Sequence, residues 1–148
     1  MPLGASAPRG DPHHVGVYGV AVTPIDTVNA FIRAVERQDV AAAMALLADE
    51  ISYENMPIDP IVGKAAVEAT LQMFLGPASE VDWVVTRELA SGSTVVNERV
   101  DRFRIGSGWL ELPVAGVFEV NDEGLITLWR DYFDMGAYQR QMAELTAS

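Results

Sequence analysis

The segment Thr94–Phe133, TVVNERVDRFRIGSGWLELPVAGVFEVNDEGLITLWRDYF, decides the fold class. Apolar and polar residues alternate in it at a period of two. The turn signals Gly106-Ser107-Gly108 and Asn121-Asp122-Glu123-Gly124 cut it into the runs Thr94–Ile105, Trp109–Val120 and Leu125–Phe133. Turn residues of this kind supply tight reversals, so successive runs are expected to pair antiparallel as a meander. Upstream, Val81–Leu89 leads into Ser91-Gly92 and adds a strand, and Ile51–Asn55 is a further candidate.

Around these strands the period changes to 3.6. Thr23 reads as an N-cap, Pro24 as the first helical residue and Asp26 as the acid three positions after the cap. Val28, Phe31, Ile32 and Val35 then follow at i, i+3, i+4, i+7 and form one apolar stripe. A short helix is expected after Asp39, with Val40, Met44 and Leu47 inward. A third is expected over about Lys64–Leu75, where Val67, Leu71 and Phe74 share a face around Thr70 and Gly76-Pro77 stops the helix. A closing helix from about Asp134 to Leu145 presents Tyr138, Met142 and Leu145. Helices followed by a meander argue for an α+β domain, with helices covering one face of a mostly antiparallel sheet. The expected division is an irregular Gly- and Pro-rich arm at 1–22 and a single domain at 23–148.

Composition narrows the function. The 148 residues are 49% hydrophobic and 21% charged, which suits one globular unit. A formal charge of −11 opposes binding to nucleic acid or anionic membrane surfaces. The chain has no Cys, which excludes disulfides, thiolate metal sites and cysteine nucleophiles. His13 and His14 are adjacent in the Gly- and Pro-rich arm, with Asp11 the one carboxylate close by in sequence, and no metal is expected there. No stretch approaches the roughly 20 apolar residues of a membrane span, and no signal peptide is read at the start; a cytoplasmic location is the expectation.

Strand parity groups the side chains. Residues two apart share a face and lie ~6.6 Å apart. One face of the Thr94 strand carries Val95, Asn97, Arg99, Asp101, Phe103 and Ile105, against the more charged Val96, Glu98, Val100, Arg102 and Arg104. In the last strand Leu125, Thr127, Trp129, Asp131 and Phe133 share a parity, and in the first Ile51, Tyr53 and Asn55 do. Leu110, Leu112, Val114, Gly116 and Phe118 form an apolar wall. Parity alone leaves two readings of Arg99 and Asp101 open, a surface ion pair or a functional cluster.

Three segments, Tyr53-Glu54-Asn55-Met56-Pro57, Arg99-Val100-Asp101 and Trp129-Arg130-Asp131-Tyr132-Phe133-Asp134, together resemble the limonene-1,2-epoxide hydrolase family. The similarity runs from about Ile25 to Tyr138, including the helix start at Gly63–Leu71, and leaves the N-terminal arm unmatched. The resemblance implies a curved six-stranded mixed sheet with helices packed in its concave face, of nuclear-transport-factor-2-like or cystatin-like architecture. It also implies a homodimer without metal or organic cofactor. The positions matching the family's functional set are Tyr53, Asn55, Arg99, Asp101 and Asp131.

On that implication, Asp131 is the base that activates water, Tyr53 and Asn55 hold the water, and Asp101 is the acid for the epoxide oxygen. Arg99 bridges the two carboxylates, and one Arg⁺, one Asp⁻ and one AspH sum to zero, so both protonation states can coexist in a buried site. Phe31, Ile32, Val35, Phe74, Phe103, Leu112, Val114 and Phe133 are the candidate walls of an apolar substrate pocket, which suits a terpenoid, lipid or sterol-like epoxide. The same architecture hosts other chemistries. The alternatives are therefore a ketosteroid-isomerase-like or polyketide-cyclase-like enzyme and a non-catalytic binder of apolar ligands.

Overall fold

In the computed structural model, which describes residues 22–147, Thr23 and Asp26 cap each other. The Thr23 hydroxyl accepts the Asp26 N–H at 3.2 Å, and the Asp26 carboxylate accepts the Thr23 N–H at 3.0 Å. This capping box starts α1 (Pro24–Glu36), whose Val28, Phe31, Ile32 and Val35 are buried. Asp39 accepts the Ala42 N–H at 3.0 Å and starts α2 (Val40–Met44). Between the two helices Gln38 takes a left-handed conformation (φ 56°). Its amide then donates to the carbonyls of Leu75 and Ala78, tying this turn to a stretch 37 to 40 residues further along the chain.

Then follow β1 (Leu47–Met56), β2 (Ile61–Val62), α3 (Lys64–Leu75), β3 (Ala78–Ser91), β4 (Thr94–Ile105), β5 (Gly108–Val120), β6 (Ile126–Tyr132) and α4 (Met135–Thr146). The six strands lie in the order β2-β1-β6-β5-β4-β3, all neighbours antiparallel except the parallel pair β1 and β6. The sheet is thus mixed, and the four helices match the expected positions closely. The β4–β5 reversal uses Gly106 at φ 59°, a conformation that a side chain disfavours.

Three readings of the sequence are corrected. Leu47 is buried, but as the first residue of β1, which is longer than the expected Ile51–Asn55, and not as part of α2. The strand β2 was not expected, because two residues carry no periodicity. The parity of β6 breaks at Thr127: Val120 pairs with Ile126 and Glu119 with Leu128, so Thr127 is an extra residue without an opposite partner. Ile126 therefore turns inward and is buried, while Leu125 and Thr127 are only half-buried. Beyond the bulge the expected parity holds, with Trp129 and Asp131 buried.

The inward faces of β3 to β6 and of β1 pack under α1 and α3 around one core. β6 ends opposite Ala115, so among the described residues the half of β5 from Gly108 to Val114 has no strand on that side. α4 covers this stretch. Its Gln141 accepts the Glu111 N–H at 2.8 Å and donates to the Glu111 carbonyl at 2.9 Å, replacing the missing ladder bonds. Tyr138, Met142 and Leu145 pack partly buried against the core. Residues 1–21 of the expected arm, His13 and His14 among them, lie outside the described residues.

Candidate active site

Register aligns the polar residues in a row across the sheet. Asn55 in β1 pairs with Asp131 in β6, Asp131 with Gly116 in β5, and Gly116 with Asn97 in β4. Arg99 and Asp101 follow on the same face of β4. All of the charged members are buried, Arg99 to 1% exposure and Asp131 to 4%.

Arg99 makes four hydrogen bonds through its guanidinium. Nε donates to Asp101 Oδ1 at 2.7 Å and Nη2 to Asp101 Oδ2 at 3.1 Å, a bidentate pair. Nη2 also donates to Asp131 Oδ2 at 2.7 Å, and Nη1 to Asn97 Oδ1 at 3.0 Å. The guanidinium carbon lies 5.0 Å from the Trp83 ring centre and 5.9 Å from that of Phe118. Burial alone would weaken the hold of Arg99 on its proton, but Asp131 and Asp101 outweigh it and raise its pKa. It remains a cation throughout.

The carboxylates respond in the opposite sense. Burial pushes Asp101 up to about 6 against the pull of Arg99, and burial likewise raises Asp131 against Arg99 and the Trp129 indole N–H. The two share one environment and titrate as a set. The indole N–H donates to Asp131 Oδ2 at 3.0 Å, while Asp131 Oδ1 has no partner among the described residues. An ionised carboxylate with one oxygen held and the other unengaged can take a proton from a bound water. The Tyr53 ring stacks on Trp129 with centres 3.8 Å apart. Burial and then Asp131 raise its pKa, so it stays a neutral phenol, beside the Asn55 side chain.

These groups end in a cavity of about 640 Å³, measured out to its open mouth. Tyr53, Asn55, Asp101 and Asp131 reach its wall, and the rest of the lining is apolar or aromatic. Of the residues expected to wall a pocket, Phe74, Phe103, Leu112, Val114 and Phe133 do so. Ile32 and Val35, with Phe31, do not. They are fully packed in the core on α1, because an apolar helix stripe facing a sheet is spent on that contact.

Sequence reasoning left out Trp83, Trp129, Ile58, Leu71, Met135 and Tyr138 from the wall, and Asn97 and Gly116 from the Arg99 surroundings. Asn97 carried a visible signal, a polar residue in the inward parity of β4. Trp129 carried one too, on the same face as Asp131. The others come from separate elements that only the tertiary fold brings together. Among the described residues no group of three or more His, Cys, Asp or Glu side chains is placed to hold a metal ion, and no helix is long and apolar enough to cross a membrane.

The model of the limonene-1,2-epoxide hydrolase catalytic domain matches residues 22–143. The protein named epoxide hydrolase EphG from Mycobacterium tuberculosis is 38% identical over 108 residues, 73% of this chain and 71% of that protein. A solved structure of a limonene-epoxide-hydrolase-like epoxide hydrolase from M. tuberculosis is 35% identical and superposes with a TM-score of 0.70, over 84% of this chain and 96% of the other. A nuclear-transport-factor-2-like protein of unknown function from Cytophaga hutchinsonii, 20% identical over 76% of this chain and 90% of its own, superposes at 0.63 and speaks to the fold alone. The sheet order, the Arg-bridged aspartates and a domain match over most of its length agree, and the chain belongs to the limonene-1,2-epoxide hydrolase family.

Proposed function

We propose that this enzyme, an epoxide hydrolase by family, adds water to an apolar epoxide in a single step and releases a vicinal diol. The observation that carries this reading is the buried Arg99, bonded to Asp101 and Asp131 at the apolar cavity wall. Epoxide opening needs a proton for the leaving oxygen and a nucleophilic water on the opposite side of the carbon. Two carboxylates sharing one proton provide both.

In the proposed step, Tyr53 and Asn55 hold a water against Asp131, which is ionised. Asp131 takes one proton from that water as its oxygen forms the bond to an epoxide carbon. The carbon–oxygen bond breaks on the far side, and Asp101 delivers its proton to the departing oxygen. The pair ends with its proton on the other carboxylate and an unchanged total charge, so one proton transfer restores it. Trp129 and Arg99 both donate to Asp131 Oδ2, and Oδ1 is the oxygen assigned to take the proton from water. An enolising isomerase on the same architecture can also pair a carboxylate base with a protonated carboxyl donor; what favours hydration is the family match together with the Arg99 bridge that joins the two aspartates directly.

The apolar lining supports a terpenoid, lipid or sterol-like substrate over a sugar or nucleotide. The family resemblance further supports a homodimer that acts without metal or organic cofactor. The test is a panel of terpenoid, fatty-chain and sterol epoxides of graded size, assayed for diol. Diol from at least one apolar class is expected. Inertness toward all of them, with isomerisation of an unsaturated ketone, would overturn the reading.

A further inference from the structure

The Nη1 group of Arg99 bonds neither carboxylate, and the structure meets it with a neutral group. Nη1 meets Asn97 Oδ1 at 3.0 Å. Asn97 is 1% exposed, and its amide nitrogen has no partner among the described residues. A buried amide with half of its hydrogen-bonding capacity unmet is a cost, which here is offset by the one bond it makes to the guanidinium. Directly opposite Asn97 in the ladder lies Gly116, itself opposite Asp131. A Cβ on Gly116 would collide with Arg99 Nη1, and would stand 2.8 Å from Asn97 Oδ1 and 3.0 Å from the Phe118 ring. The guanidinium thus lies across the bare backbone of β5 between Asn97 and Asp131.

We infer that Asn97 and Gly116 are positioning residues for the Arg99 bridge, Gly116 giving the guanidinium its place and Asn97 fixing its rotation while adding no charge. The neutrality matters. Arg⁺ with Asp⁻ and AspH already sums to zero, and a carboxylate at 97 would add a negative charge and draw a second proton into the set. The inference rests on the hydrolase reading for its kinetic consequence, but the titration does not. The other ionisable groups facing the set are Tyr53 from β1, Glu36 from α1, which acts on Asp101, and Tyr138 from α4 at the cavity wall; β5 contributes none on this face.

Asn97→Ala, Asn97→Asp and Gly116→Ala test it. Trp129 touches Asp131 and Trp83 overlies Arg99, so tryptophan fluorescence against pH follows the set without substrate. Asn97→Asp keeps the acceptor and is expected to move that midpoint up by about one pH unit. It should also carry the acid limb of turnover with it. Asn97→Ala and Gly116→Ala, where folded, should lower kcat ~10-fold or more at every pH with KM changed less than about twofold, since misplacing the bridge affects the reacting groups and not the apolar walls. A purely structural role for Asn97 would lower the melting temperature without moving the midpoint. Coincident fluorescence titrations for Asn97→Asp and the parent, or parental kcat in Asn97→Ala, would overturn the role of Asn97; parental kcat in Gly116→Ala would overturn that of Gly116. If the parent opens no epoxide, the hydrolase reading fails instead, and the fluorescence midpoint still decides whether Asn97 sets the charge balance.

Discussion

The indole N–H of Trp129 donates to the same oxygen of Asp131 that receives Arg99, at 3.0 Å and 2.7 Å, and Oδ1 is left without a partner among the described residues. Both donors favour the carboxylate over the acid, partly opposing the burial that raises its pKa. Trp129→Phe retains the stack under Tyr53 and removes the donor. The acid limb of kcat/KM should move to higher pH, with kcat reduced by roughly 10-fold. A pH profile superimposable on the parent's would show that the indole bond does not tune the base.

Asp131→Asn and Asp101→Asn should each lower diol formation by at least ~10²-fold while the domain stays folded, as expected for losing a positioned base or acid. Arg99→Lys should also be harmful, because an ammonium cannot reproduce a planar fork that engages Asp101 twice and Asp131 once. Circular dichroism of each variant beside its turnover separates chemistry from folding. Near-normal turnover in either asparagine variant would remove that aspartate from its assigned role.

Stability should rise as the pH falls from 8 to about 5. Asp101 is raised from its ordinary 3.8 to about 6, and Asp131 is raised as well. Between those values the folded protein binds more protons than the unfolded chain. The resulting stabilisation is absent above the folded value and complete below the unfolded one, amounting to roughly 3 kcal/mol for a shift of Asp101's size. Glu36, raised first by burial, acts in the same sense. Asp26 and Glu54 are lowered by hydrogen bonds from Thr23 and Arg130, and they lose their contribution only as the pH drops below their ordinary 3.8 and 4.5. Melting temperatures at pH 8, 6.5 and 5 should climb, and Asp101→Asn should flatten the slope. An identical slope in that variant would contradict the assignment.

Activity should survive exhaustive dialysis against a chelator. A cation between Asp101 and Asp131 would have to displace the Arg99 guanidinium, which already holds both. Loss of turnover that a divalent metal restores would contradict this.

Much of the fold was legible because each strand of the Thr94–Phe133 meander has one buried face, so period two survives in the sequence, and because Thr23, Asp39 and Asp134 mark helix starts by side-chain chemistry. What was missed follows from the same physics. The bulge at Thr127 exists only in the pairing with β5, and β2 is too short to show a period. Tyr53, Asn55, Arg99, Asp101 and Asp131 were marked by polarity on apolar faces, with the family resemblance supplying their grouping. Ile32 and Val35 looked like Phe74 and Phe103 as apolar residues, and only the packing of α1 on the sheet separates core from cavity wall. Gly116 matters for a side chain it lacks, which no hydrophobicity pattern reports.

The most direct test of one-step hydration is a single turnover with enzyme in excess over an apolar epoxide in ¹⁸O-labelled water. If Asp131 activates water for direct attack, the diol formed in that first turnover carries one solvent oxygen in full, and peptides containing Asp101 and Asp131 stay unlabelled. Unlabelled diol with ¹⁸O in either aspartate would mean that a carboxylate attacked first and a covalent ester was hydrolysed, contradicting direct hydration.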